Sequence, residues 1–365
     1  MSKLPKWADL ILIPFLNLSL ALAVSGLVVI WIGENPLRAM QIIVQGSLGS
    51  SYGLGYTLYY ATNFIFTGLA VAVAFHAKLF NIGGEGQALI GGLGAALVCL
   101  SIDWPHWTLA LPFAVLAAGL FGAAWASIPG YLQAKRGSHV VITTIMFNFI
   151  AYSLMVYLLV HVLKPVGQMA PESARFPAGS NIPNAYEIFG WVGLAFPKSA
   201  PLNITFFIAI LSCFLVWFLI WRTRLGYAIR AFGWSEPAAV YAGISPFRII
   251  MTTMLVSGAL AGMMGINSVM GEAERLLIDS VQGAGFVGIA VALMGRSHPV
   301  GVFLAAVLFG VLYQGGAELE FEMPAVSREM IVVIQALVIL FTGALENLVR
   351  FPVERLFLKL RIKQS

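Results

Sequence analysis

YTLYYATNFIFTGLAVAVAF, residues 56–75, is a run of twenty residues without one charged side chain. A helix of ~20 apolar residues is what crosses the hydrocarbon core of a bilayer. Working outward from it, runs of the same kind occupy about 10–33, 85–102, 107–131, 139–163, 202–222, 249–270, 282–295, 299–315 and 330–349. The run at 282–295 is short and glycine-rich, and reads as a broken or tilted helix. The composition agrees: 59% of the 365 residues are apolar, 10% are charged, and the mean hydropathy is +0.88. A soluble domain carries roughly 25% charged residues, so lipid must serve as part of this chain's solvent. The reading is an all-α, polytopic membrane helix bundle of about ten transmembrane helices. One transmembrane domain covers 1–350, and 351–365 is a basic, amphipathic tail suited to the anionic inner leaflet.

Charge orients such a bundle. With a cytoplasmic N-terminus and alternating spans, only Arg38, Lys164, Arg175, Lys198, Arg275 and Arg328 fall outside. The other 15 of the 21 Lys and Arg residues then face the cytoplasm, among them Lys3, Lys6, Lys359, Arg361 and Lys363. Lys/Arg bias sets orientation during insertion, so both termini are expected in the cytoplasm. Most acidic residues fall outside, which suits docking of a soluble partner of complementary charge. The N-terminal run is too long for a signal peptide and lacks a cleavage motif, so it is read as the first span. Cys99 and Cys213 sit in apolar runs with no metal-ligand spacing, and no metal site is indicated.

Two loops stand apart. The external stretch 164–200 is broken by Pro165, Pro171, Pro177, Pro183 and Pro197, with Pro201 at its edge, and reads as an ordered cap or docking loop. The internal stretch 222–248 is polar and basic. It carries a short helix from Ser235, the expected N-cap, through Pro237 in the first turn, to a stop at Gly243.

Several function classes are disfavoured. A proton-coupled carrier, a pump or a membrane enzyme needs ionisable groups within its spans, whereas here Glu85 and Glu346 stand only near span ends. Nor does the chain contain GxxxxGK[ST], the phosphate-cradling loop of many ATPases. Energy for uphill transport would then come from another subunit. A stand-alone secondary carrier or channel calls for a mid-membrane coupling carboxylate. A scaffold or receptor would leave the polar residues of the spans without a purpose.

Four segments carry a resemblance: FNIGGEGQALIGG (80–92), VITTIMFNFIA (141–151), RLGYAIRAFGWSEPAAVYAGI (224–244) and GAGFVGIAVALMGRSHPVGVFLAAVLFG (283–310). In order and spacing they resemble the permease family of ABC importers for simple sugars, nucleosides and branched-chain amino acids. The nearest likeness is to nucleoside and simple-sugar permeases that work with basic-membrane-protein-type binding lipoproteins. The resemblance covers roughly 55–350. It implies alternating-access import of a nucleoside or simple sugar, with branched-chain amino acids as the alternative solute. It also implies a second, related permease, a cytoplasmic ATPase with two cassettes often fused in one chain, and an extracytoplasmic solute-binding protein. No cofactor is then bound by this chain, since ATP is used by the ATPase. Gly233, Ser235, Glu236, Ala238, Ala239 and Gly243 correspond to the coupling helix that enters a groove on the ATPase. Two positions depart from the pattern. His139 and Val140 stand where many relatives have an Asn-Glu pair, and Val287 stands where some have Asp.

A polar solute needs hydrogen-bonding side chains inside the bundle. The candidates are Asn81, Glu85, Gln87, Thr144, Asn148, Asn267 and Gln282, with Thr143 and Gln335 beside them. Thr144 and Asn148 share a helix face, and Met146 and Phe147 could meet a base or sugar ring. Each amide or hydroxyl could instead bridge two helices. The glycine runs at 83–97 and 283–295 allow close helix packing, or mark broken helices in two repeated halves.

Overall fold

In a bilayer no water satisfies backbone N–H and C=O groups, so apolar runs fold as helices, which bond their own. The computed structural model describes residues 12–190, 196–341 and 349–355, with Pro5 and Ala8. Lys3, Lys6, Glu346, Lys359, Arg361 and Lys363 lie outside the described residues. In chain order the helices are α1 (Ile13–Trp31), α2 (Pro36–Leu48), α3 (Ser51–His76), α4 (Gly84–Ser101), α5 (Trp107–Arg136), α6 (Val140–His161) and α7 (Ala185–Gly190). They continue as α8 (Thr205–Arg222), α9 (Arg224–Trp234), α10 (Glu236–Tyr241), α11 (Pro246–Gly265), α12 (Ala284–Met294), α13 (Pro299–Glu322) and α14 (Arg328–Ile339). A π-helix, Ile266–Ala273, extends α11.

Seven of these are long and apolar enough to cross a membrane: α3, α4, α5, α6, α8, α11 with its extension, and α13. An eighth is reached if α1 and α2 count as one bent span. Among the described residues the structure thus supports seven or eight spans where about ten are expected from the sequence. The run at 10–33 qualifies only jointly with α2, which bends from it by 117°. Gly33 at φ +92° makes that turn, and the Asn35 side chain caps α2 by accepting from the Leu37 and Arg38 N–H groups. The run at 282–295 holds only the 11-residue α12, bounded by Gly283 at φ +79° and Gly295. The run at 330–349 is described only as the 12-residue α14, the rest lying largely outside the described residues. Helix geometry does not orient the bundle.

The chain divides into two compact units, Met1–Ser50 with Val311–Ser365, and Ser51–Gly310. In the first, α1 packs on α14, and Val29, Ile42, Leu319, Met323, Ile331 and Ile334 form an apolar core. Ala8 and Ile13 pack with Val349 and Val353.

The second unit is built on a seam of small residues. Ala114, Ala118, Gly122 and Ala126 recur every fourth position of α5 and are buried. They meet Gly258 and Gly262 of α11 at backbone contact, and Gly262 in turn meets Gly91 of α4. Without a hydrophobic force between helices in lipid, close backbone approach through small residues supplies the packing energy.

Candidate functional site: two broken helices and a surface helix

Between α3 and α4 the chain does not form a simple turn. Residues 79–82 run without helical bonds inside the bundle, and every polar candidate nearby attends to them. Asn81 is buried; its Nδ2 donates to Gln87 Oε1 at 3.0 Å and to Ser257 Oγ at 2.8 Å. Its Oδ1 accepts from the Gly83 N–H and from Gln87 Nε2. The Ser257 hydroxyl in turn donates to the Ala70 carbonyl of α3 at 2.7 Å. From α6, Thr144 Oγ1 accepts from the Ile82 N–H at 3.3 Å. Asn148 accepts from the Gly86 N–H and donates to the Ile82 carbonyl, at 2.9 and 3.0 Å. Non-helical backbone within a bundle survives only where protein groups satisfy it, and these side chains do so.

The second break lies ahead of α12. Gln282 and Gly283 both take positive φ, and the Glu85 carboxylate then accepts from the Gly283 and Gly285 N–H groups, each at 2.8 Å. Glu85 also occupies the first turn of α4. One carboxylate thus sits at the positive ends of two helix dipoles and satisfies orphan donors of α12. The approach is so close that a Cβ on Gly285 would collide with the Glu85 backbone. Gln282 is exposed beside this cap, as is Phe286 one turn into α12.

Asn267, in the π-helix, is buried and fully engaged. It donates to the Tyr59 carbonyl at 3.1 Å and to Asn63 Oδ1 at 2.8 Å, and accepts from Asn203 at 2.9 Å. The wider π turn places it opposite α3 and the start of α8. Next to it the Tyr59 hydroxyl donates to the Glu272 carboxylate.

Asn81, Glu85, Gln87, Thr144 and Asn148 therefore come together around the two breaks, Gln282 is exposed beside the second of them, and Asn267 belongs to a separate cluster. Thr143 is bonded within its own helix, to the His139 and Val140 carbonyls. Ser257, Asn63 and Asn203 escaped sequence reading. Asn63 carried a signal, an amide in the middle of a run otherwise suited to lipid. Ser257 had none, because a serine in a small-residue stretch looks like packing.

The surface helix α10 forms as expected. Ser235 caps it by accepting from the Ala238 N–H, at 3.4 Å, and Gly243 ends it at φ +82°. Gly233 is buried where a Cβ would strike the His76 carbonyl, which holds α9 down on the end of α3. Glu236 and Ala238 are exposed, and Ala239 is buried. Two large aromatic side chains flank the helix in the open, Trp234 at 85% and Tyr241 at 96% exposure. The 164–200 loop is ordered where described. Arg275 pairs with Glu172 at 2.7 Å, and Ser173 and Phe176 bond the 274–276 backbone.

Residues 53–343 match the family described as branched-chain amino acid transport system / permease component. A guanosine ABC transporter permease protein of Bacillus subtilis is 35% identical, over 92% of this chain and 93% of its own length. A glucose ABC transporter permease protein of Haloferax volcanii is also 35% identical, over 93% and 89%. A nucleoside ABC transporter permease protein of Lactococcus lactis is 32% identical, over 91% and 90%. In both Bacillus subtilis and Lactococcus lactis a second permease protein named for the same solute matches more distantly, at 25% and 27% identity over 70% and 76% of this chain. These cover 78% and 82% of their own lengths. No solved structure matches. The chain is a multi-pass membrane protein, and it belongs to the family of ABC transporter permease components, which are transport subunits.

Proposed function

We propose that this protein is one of two permease subunits of an ATP-driven importer for nucleosides, simple sugars being the next solute class. α10 is the observation that carries the importer reading. A six-residue helix, capped at both ends and flanked by an exposed Trp234 and Tyr241, has the form of a rigid peg for a soluble partner. Glu236 and Ala238 face that partner, and Ala239 anchors the peg to its own unit. The partner is the cytoplasmic ATPase, which hydrolyses the ATP. The basic residues around α10, Arg222, Arg224, Arg230 and Arg248, support a cytoplasmic position for this face in a bacterial inner membrane. The proline-rich 164–200 loop then faces outward, to receive a solute-binding protein.

The broken helices supply the moving part. Two half-helices that start face to face and share one carboxylate can separate by exchanging a few hydrogen bonds, which suits alternating access. The accessible Gln282 and Phe286 at the lip of this joint are the groups best placed to meet a solute. Asn81, Gln87, Thr144, Asn148 and Asn267 shape the pathway from behind. The relatives matched over most of their length are named for guanosine, other nucleosides and glucose, which supports the solute class. The family description names branched-chain amino acids, and this favours the second reading. Uptake into vesicles carrying the whole transporter decides between them. Radiolabelled guanosine should enter only with ATP inside and the binding protein outside. Excess adenosine should compete, and leucine should not. Uptake without ATP would overturn the importer reading, and competition by leucine alone would move the solute to branched-chain amino acids.

A further inference from the structure

At the end of α8 the chain folds back on itself. Thr223 bonds the Leu219 carbonyl at 2.6 Å and caps α9 by accepting from the Gly226 N–H at 3.0 Å. Gly226 lies so close to the Leu219 and Ile220 carbonyls that a Cβ there would collide with both. The tight reversal leaves an open cleft of about 640 Å³ between the end of α8, α9 and the residues after α10. Arg222, Arg224 and Arg230 line it together with Trp221 and Tyr227, and no acidic residue does. None of the three arginines holds an ion pair among the described residues, and the buried Arg230 Nε has no hydrogen-bond partner there. Arg222 and Arg224 are exposed at its rim and Arg230 is half-buried, so the cleft presents a cationic surface that favours an anion.

The surroundings identify what carries that anion. Phe207, Leu211, Phe214 and Phe218 recur at helical spacing down α8 and are all exposed. This apolar strip runs to Trp217 and Trp221 and ends at the cavity; Arg222 lies over the Trp217 ring at 5.2 Å. Aromatic side chains of this kind mark the membrane–water interface. An apolar lane that ends at an interfacial aromatic pair and a cationic pocket fits a molecule with the same order of parts: acyl chains, glycerol, phosphate. We infer that this cavity binds the phosphate group of an anionic diacyl phospholipid, with the acyl chains lying along α8. Arg224 and Arg230 supply forked donors for the phosphate oxygens. A lipid held there braces the α8–α9 reversal from which α10 projects. The inference needs α8 to cross the bilayer and does not depend on the solute.

The test uses the full-length protein in phosphatidylcholine nanodiscs, titrated with phosphatidylglycerol or, separately, with inorganic phosphate. Thermal midpoints and native mass spectrometry of retained lipid are the readouts. Phosphatidylglycerol should raise the midpoint and remain bound, and inorganic phosphate should do neither. Arg224→Gln with Arg230→Gln should weaken phosphatidylglycerol binding about 30-fold, on ~1 kcal/mol per basic residue near an anionic surface. Its midpoint in phosphatidylcholine alone should match the wild type. Should that variant fail to fold, Arg224→Lys with Arg230→Lys keeps the charge and loses the fork, and should retain less phosphatidylglycerol than the wild type. Equal lipid retention by variant and wild type overturns the inference. So does equal stabilisation by inorganic phosphate, which would make this a site for a free anion. A third contrary result is loss of the ATPase from the variant with lipid binding intact, which would assign the arginines to the partner protein.

Discussion

Glu85 is the residue where charge and fold meet. Its carboxylate accepts from two backbone N–H groups of α12 at 2.8 Å, so its negative charge is held by hydrogen bonds and helix dipoles instead of an ion pair. Glu85→Ala would leave both donors without a partner in a half-buried joint, at about 1–3 kcal/mol for each. Thermal unfolding in mild detergent should reveal a clear drop in midpoint, with transport lost. Glu85→Gln still presents one acceptor oxygen, and should fall between wild type and Glu85→Ala in stability. A Glu85→Ala protein as stable as the wild type would refute this role for the carboxylate. Sequence reading singled out Glu85 as a pathway group because a lone acid near a span end stands out. That its oxygens face a helix 200 positions away was not readable from the chain.

The helices are held by two different uses of glycine, and substitution separates them. Gly262 has an ordinary φ, but a Cβ there would run into the Ala118 carbonyl and the Gly122 backbone. Gly262→Ala must push α11 from α5, costing ~1–3 kcal/mol as overpacking does. Gly137 ends α5 at φ +67° with open space around it. There the cost of a side chain is conformational, and Asn tolerates that backbone region. Gly137→Asn should therefore melt within a degree or two of the wild type, while Gly262→Ala melts well below it. The reverse order would mean that the α5–α11 seam yields easily. In the sequence Gly137 follows the basic Lys135–Arg136 pair and Gly262 lies among apolar residues, but only their neighbours in space show which one has room for a side chain.

For the whole molecule the decisive contact is with other chains. Relatives from two organisms come as pairs of permease proteins, which supports a second, related subunit beside this one. Tagged wild-type protein, drawn from its native membranes in mild detergent, should bring that subunit and an ATPase with it. Ala238→Arg places a large cation on the exposed face of α10 without touching the buried Ala239. It should release the ATPase and keep the second permease, as read by mass spectrometry and by ATPase activity of the eluate. Retention of the ATPase by Ala238→Arg would remove α10 as the docking element. Wild-type protein that purifies alone would count against a paired importer.

Composition and run length determined that this protein is a helical membrane bundle, because burying so much apolar surface with so few charges needs lipid whatever the packing. The short capped helix after Ser235 was equally legible, since a cap, an early proline and a glycine stop are local interactions between near neighbours. Span counting was less secure, because the bend after α1 and the shortness of α12 depend on how each helix is held by the rest. Only the tertiary structure decided what the polar residues of the spans do. Asn81 bonds Ser257 across 176 positions, and Asn267 bonds Asn63 across 204. An amide in an apolar run announces that it needs a partner. Whether that partner is a solute or another helix depends on distance in space, and that is set by the close approach of backbones along the glycine seams.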